Sequence, residues 1–155
     1  MSATSIANQL PTSLLVLHSL TARDLMQPNP LCISQHTKVV EAGAILMGHS
    51  YSAAPVVNER GHAIGVVSLK DLVRCHCKGH PQALSNAWMV LECEDETEVS
   101  EIMTPTVVTV TPDTSARLAI GLMLAKKVHR LFVVDETGTL IGVISTLDIL
   151  QKLAP

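Results

Sequence analysis

Aromatic side chains are nearly missing from this chain: one Trp, one Tyr and one Phe in 155 residues. Proteins that hold single-stranded nucleic acid stack its bases on aromatic faces, so that class is excluded. The core must be built from Val, Ile, Leu and Met instead. Basic charge is scarce too, since 11 Lys and Arg against 14 Asp and Glu leave a formal net charge of −3. A duplex-binding face needs clustered positive charge to replace phosphate counterions, and none is present.

Long apolar runs are also absent. Leu14-Leu15-Val16-Leu17 stops at His18, far short of the roughly 20 residues a membrane span needs. No basic residue precedes Arg23, which argues against a secretory signal. There is no Gly-x-Ser-x-Gly, no P-loop and no His-Glu-x-x-His, so no familiar catalytic motif supports an enzyme. Histidines are scattered: His18, His36, His49 and His62 read as surface or capping residues. With 47% apolar and 16% charged residues, the composition is that of a globular domain.

What the chain does have is a repeat. Gly65-Val66-Val67-Ser68-Leu69-Lys70-Asp71 returns as Gly142-Val143-Ile144-Ser145-Thr146-Leu147-Asp148, an offset of 77. The same offset superposes Met26 on Met103, Pro28 on Pro105, Ala42 on Ala119 and Val56-Val57 on Val133-Val134 without a gap. A repeat fixes architecture before any local signal does. Two copies imply a closed pseudo-symmetric pair rather than a solenoid. Each copy spans about fifty residues, too few to bury a large share of its own surface, so the copies are expected to share a core.

The cysteines do not follow the repeat. Cys32 superposes on Thr109 and Cys75 on Lys152, while Cys77 and Cys93 fall between the copies. Structural disulfides would be duplicated with the unit, so these read as reduced thiols in a cytoplasm. Cys75-His76-Cys77 with His80 has zinc-binding residue types, but Cys-x-Cys lacks the usual spacer and a second half, and no metal site is assigned.

Four segments are expected: a lead-in at 1–20, repeat 1 at 21–76, an acidic linker at 77–98 and repeat 2 at 99–153. The lead-in carries a short helix through Leu14–Leu20 that covers an apolar edge or joins a dimer contact. Trp88 anchors the linker. In each copy a proline turn precedes a short strand, Leu31-Cys32-Ile33 or Val107–Val110. Thr37 and Thr114 stand at helix N-caps. Val39, Ala42, Leu46 and Met47, and then Ala116, Ala119, Ile120 and Met123, recur at helical spacing. Ala54–Val57 with Ile64–Val67, and Leu131–Val134 with Leu140–Ile144, form hairpins. A last helix begins at Ser68 or Ser145. The unit is β-α-β-β-α, twice, in the α/β (α+β) class.

This ordered set resembles the cystathionine β-synthase (CBS) domain family, as a tandem pair or Bateman module. The openings are Asp24-Leu25-Met26-Gln27-Pro28 and Glu101-Ile102-Met103-Thr104-Pro105, the middles Ala54-Pro55-Val56-Val57-Asn58 and Leu131-Phe132-Val133-Val134-Asp135, and the closes are the two motifs quoted first. The resemblance covers about residues 21–153. It implies a pseudo-twofold module with two clefts between the repeats. Family members bind adenosine compounds there (AMP, ADP, ATP, S-adenosylmethionine or dinucleotides), regulate an attached or partner protein, and often form homodimers. The ligand is then regulatory, not a required cofactor.

The resemblance assigns ribose binding to Asp71 and Asp148. A carboxylate only accepts hydrogen bonds, and a ribose diol donates two. Ser68 and Ser145 match the family's hydroxyl position, near helix N-termini that favour anions. Thr146 adds a hydroxyl where the first copy has Leu69. From spacing alone, Ser-x-x-Asp reads first as a capping box; the resemblance favours the site, and both roles can hold at once. His129 and Arg130 stand where relatives place a phosphate contact, whereas the first copy has Ser52-Ala53. Lys70 and Arg117 are further candidates, and all four, His129 and Arg130 included, are also readable as solvated surface cations. Phe132 replaces the proline found at Pro55 and reshapes one wall. Ile33, Val108 and Val110 are expected to flank the adenine, although each also fits a core position. The expected function is a non-catalytic nucleotide sensor acting on an unknown partner protein. The alternatives are a ligand-free dimeric scaffold and a redox- or metal-linked regulator through Cys75 and Cys77.

Overall fold

The computed structural model describes residues 18–76 and 96–153. Most of the expected lead-in, Trp88, Cys77, His80 and Cys93 lie outside these residues. The first copy holds α1 (Ala22–Leu25), β1 (Gln27–Pro28), β2 (Ile33–Ser34), α2 (Val39–Gly48), β3 (Ala53–Val57), β4 (Ala63–Ser68) and α3 (Leu69–His76). The second holds α4 (Val99–Ile102), β5 (Thr109–Val110), α5 (Ala116–Lys126), β6 (Arg130–Val134), β7 (Leu140–Ser145) and α6 (Thr146–Leu153). Among the described residues, no helix is long and apolar enough to cross a membrane.

The hairpins form as the alternating apolar runs predict. β3 pairs antiparallel with β4 and β6 with β7, each with a register shift at the same place in the copy, at Val56/Val57 and Val133/Val134. Both turns rely on a glycine in the left-handed region, Gly61 at φ 77° and Gly138 at φ 83°, where a side chain is penalised. A side-chain oxygen braces each turn. Asn58 Oδ1 accepts from the N–H groups of Arg60 and His62, and Asp135 Oδ1 from those of Thr137 and Thr139.

Two local expectations shift. The entering strands are two residues long, Ile33–Ser34 and Thr109–Val110, each parallel to the neighbouring hairpin. The helix caps fall one position late, at Lys38 and Ser115. Ser115 Oγ accepts from Leu118 N–H, and Thr114 Oγ1 accepts instead from Thr111 N–H. The threonines are drawn away because their backbone carbonyls serve the other copy: Val99 N–H donates to Thr37 O at 2.9 Å, and Ala22 N–H to Thr114 O at 2.7 Å.

Those contacts belong to a reciprocal exchange. The opening of each copy packs onto the body of the other. β1 adds to β7 to complete the sheet β1-β7-β6-β5, with Gln27 opposite Val143. The equivalent pair, Thr104 and Val66, forms an isolated bridge at the edge of the sheet β2-β3-β4. Ala22 and Leu25 are buried among Val110, Ala116, Ala119, Met123, Leu131, Val133, Ile144 and Ile149. Val99 is buried among Ile33, Val39, Ala42, Leu46, Ala54, Val56, Val67 and Leu72. There are thus two cores, each closed by residues of the opposite copy. That is how units of this size bury enough surface to be stable.

Candidate functional site

The two close motifs fold identically. β7 ends at Ser145, and Asp148 lies in the first turn of α6. Asp148 Oδ2 accepts from Ser145 N–H at 2.7 Å and from Ser145 Oγ–H at 2.5 Å, while Asp148 N–H donates to Ser145 Oγ at 3.3 Å. In the first copy the matching distances from Ser68 to Asp71 are 2.9, 2.5 and 3.3 Å. The capping box is therefore real in both copies. It also locks each carboxylate and leaves its other oxygen for something else.

At Asp148 that other oxygen, Oδ1, accepts from Gln27 Nε2 at 2.9 Å, a contact across 121 positions. Burial works against the charged form of Asp148, but the hydrogen bonds from Ser145 and Gln27 outweigh it and hold the carboxyl below its ordinary value.

A cleft of about 420 Å³ opens beside this carboxylate. One side is the segment Gln27–Leu31 of the first copy, and the other is Ser145, Asp148 and Gln151 of the second. Its floor crosses the pseudo-twofold axis. Pro55 and Phe132 occupy equivalent positions in the two copies, as do Val66 and Val143, and all four line the same space. Strand register explains the rest of the grouping. Arg130 pairs with Ser145 and Phe132 with Val143, and residues two apart on a strand share a face. Arg130 is thereby carried to the same cleft as Asp148.

Of the residues singled out from sequence, Asp148, Ser145 and Arg130 line this cleft together. Asp71 and Ser68 reproduce the motif on the other repeat. Thr146 and His129 are exposed and do not line the cleft, though Thr146 N–H donates to His129 O at 3.2 Å. Lys70 and Arg117 are exposed on helices. Ile33 and Val110, adenine walls in the sequence expectation, are instead buried in the two cores at 1% and 6% exposure. Val108 packs against the second core, and its carbonyl accepts from Phe132 N–H. The apolar lining comes instead from Pro28, Pro30, Leu31, Ala54, Pro55 and Phe132.

Tyr51 was not foreseen. Two of the chain's three aromatics, Tyr51 and Phe132, line this one cleft. The ring of His49 stacks on Tyr51 with centroids 6.2 Å apart. Gln27 was not foreseen as a site residue either, because nothing in local spacing ties it to a carboxylate so far along the chain. Cys32 and Cys75 are free thiols. Burial pushes the Cys32 thiol up, away from the reactive thiolate.

A family model described as CBS domain matches residues 22–76 and 99–155. The chain belongs to the CBS domain family. Among sequence relatives, the homoserine O-acetyltransferase of Methanocorpusculum labreanum is 28% identical over 84% of this chain and 23% of that protein. The inosine-5'-monophosphate dehydrogenase of Methanocaldococcus jannaschii is 29% identical over 84% of this chain and 23% of that protein. This CBS pair thus spans about a quarter of those two enzymes' length. Among solved structures, CBSX2 in complex with AMP is 28% identical, with a TM-score of 0.66 over 84% of this chain and 93% of that one. The CBS domain of the bacterial CNNM/CorC family Mg2+ transporter in complex with ATP is 25% identical, with a TM-score of 0.74 over 92% of each chain.

Proposed function

We propose that this CBS pair is a non-catalytic regulatory module that takes an adenosine nucleotide, of the AMP, ADP and ATP class or S-adenosylmethionine, in the cleft between its repeats. The observation that carries the reading is the grouping of Ser145, Asp148, Arg130, Tyr51 and Phe132 around one space of about 420 Å³, within the usual size range of a small-molecule site. Each chemical part of such a ligand has a partner. Asp148 accepts from ribose hydroxyls, which a lowered pKa keeps possible at all physiological pH values. Tyr51 and the proline-rich wall offer apolar and aromatic surface to the purine. Arg130 offers a guanidinium to phosphate. The likeness to CBSX2 bound to AMP and to the CNNM/CorC CBS domain bound to ATP supports the ligand class.

The module acts on a partner protein through the ligand's different affinity for two conformations or assemblies. A homodimer belongs to the same reading. Met47, Leu124, Leu147 and Leu150 are large apolar side chains exposed on helices, at 60–75%, and a second copy would cover them. A cytoplasmic setting is part of this reading as well, with Cys32 and Cys75 as free thiols.

Isothermal titration with AMP and with ATP tests the ligand, and sedimentation equilibrium tests the dimer. Saturable heat that is lost in Asp148→Ala supports the sensor. No heat from any adenosine compound, with a dimer intact, would favour the ligand-free scaffold. That second reading has one observation in its favour: both Ser-x-x-Asp motifs are already satisfied as helix caps.

A further inference from the structure

The two carboxylates differ in how many hydrogen bonds they have left to accept. An ionised carboxyl offers about four lone-pair sites. Asp148 fills two on Oδ2 with Ser145 and one on Oδ1 with Gln27. Asp71 fills two on Oδ2 with Ser68 and, among the described residues, receives no side-chain donor from the opposite copy. The cause is a single position. Gln27 corresponds to Thr104, whose N–H and C=O are engaged with Val66 at 2.9 Å and whose side chain is too short to extend a terminal amide.

A vicinal diol needs two acceptor sites to dock on one carboxylate with both hydroxyls. Among the described residues Asp71 has two in hand, and Asp148 has one while Gln27 stays. We infer that Gln27 is a specificity-determining latch on the second-repeat site: its amide occupies the place of one ribose hydroxyl on Asp148 and must leave before a cis-diol binds with both. This deepens the nucleotide reading and rests on it. The latch weakens ribonucleotides at this cleft relative to an open carboxylate, and it narrows the difference between ribose and 2′-deoxyribose ligands. Release of Gln27 also frees a polar side chain on β1, the strand by which the first repeat is tied to β7.

Gln27 is exposed and its strand pairing is made by the backbone, so replacing the side chain leaves the fold in place. The test is titration of AMP and 2′-deoxy-AMP into Asp71→Ala, which isolates the second cleft, and into the same protein carrying Gln27→Thr. The latch predicts that Gln27→Thr tightens AMP by at least about ten-fold, the worth of roughly one hydrogen bond to a charged group. Binding of 2′-deoxy-AMP, which offers a single hydroxyl, should change by less than about two-fold. An unchanged or weaker AMP affinity beside measurable binding overturns the latch alone. Equal tightening of both ligands also overturns it, since the effect would then be steric. No binding by the wild-type chain overturns the nucleotide reading, and the latch with it.

Discussion

Met26 lies directly over the α-carbon of Gly142. A Cβ added at Gly142 would meet the Met26 side chain at 3.0 Å from Cγ and closer still to the sulfur. Seventy-seven positions away the relation recurs with the copies reversed: a Cβ at Gly65 would lie 2.6 Å from Met103 Sδ and 2.9 Å from Thr104 O. These two glycines are where the exchanged openings cross the hairpins, and they explain why Met and Gly superpose in both copies.

Gly65→Ala and Gly142→Ala should therefore not cost the same. At Gly142 the three nearest atoms all belong to the Met26 side chain, whose Cγ and sulfur can turn aside although its Cβ, at 3.1 Å, moves only with the backbone. At Gly65 one neighbour is the Thr104 carbonyl, fixed by its hydrogen bond from Val66 N–H. Overpacking typically costs about 1–3 kcal/mol, so we expect Gly65→Ala near the upper end and a smaller loss for Gly142→Ala. Urea unfolding of the two variants measures the difference. Equal losses would show that the crossings are not packed as described.

The hydrogen bonds on Asp148 also make a pH prediction. Its carboxyl is held below the ordinary value in the folded chain, against the opposing effect of burial. The folded state thus binds that proton less readily than the unfolded chain does. The stabilisation is fully present above the unfolded-chain value of about 3.9 and is lost as pH falls through the lower folded value. Wild type should exceed Asp148→Asn in stability by a constant margin from neutral pH down to about pH 5. The margin should close in more acidic solution. A margin unchanged under strongly acidic conditions would mean that the charge on Asp148 contributes nothing.

Arg130 should matter for phosphate and not for the nucleoside. Its loss removes a charge-assisted hydrogen bond worth about 1.5–3 kcal/mol. Arg130→Ala is expected to weaken AMP by roughly ten-fold or more and to leave adenosine within about two-fold. Competition titrations with the two ligands decide it. Equal weakening of both would assign Arg130 to the cleft wall instead.

Much of this molecule is legible in its sequence, for identifiable reasons. Hairpins and helices are local, so the apolar runs at Ala54–Val57 and Leu131–Val134 and the stripe at Ala116, Ala119 and Met123 announce them. The shared motif announces the Ser-x-x-Asp geometry, which is closed within four residues. What is not legible is made at long range. No periodicity shows that Leu25 completes the core of the second copy or that Val99 completes that of the first. Nor does any spacing bring Gln27 to Asp148. Ile33 and Val110 mark the right strands but point into the cores, because a two-residue strand gives little alternation from which to assign its faces. A signal for the two short opening helices, though not for where they pack, is nevertheless present. Asp24 and Glu101 each stand three residues after a helix-capping position, and their carboxylates accept from Thr21 N–H and Glu98 N–H, so the two short opening helices could have been read as capping boxes.

The central claim is that an adenosine nucleotide binds between the repeats through these aspartates. Thermal unfolding tests it most directly, with millimolar AMP, ADP, ATP and S-adenosylmethionine added to the wild-type chain, Asp71→Ala and Asp148→Ala. A ligand at 100 times its dissociation constant adds about 2.7 kcal/mol of stability, several degrees for a chain of this size. The account predicts a shift with at least one of these ligands that disappears in at least one of the two variants. Melting curves that no ligand moves, or a shift that survives both substitutions, would contradict it.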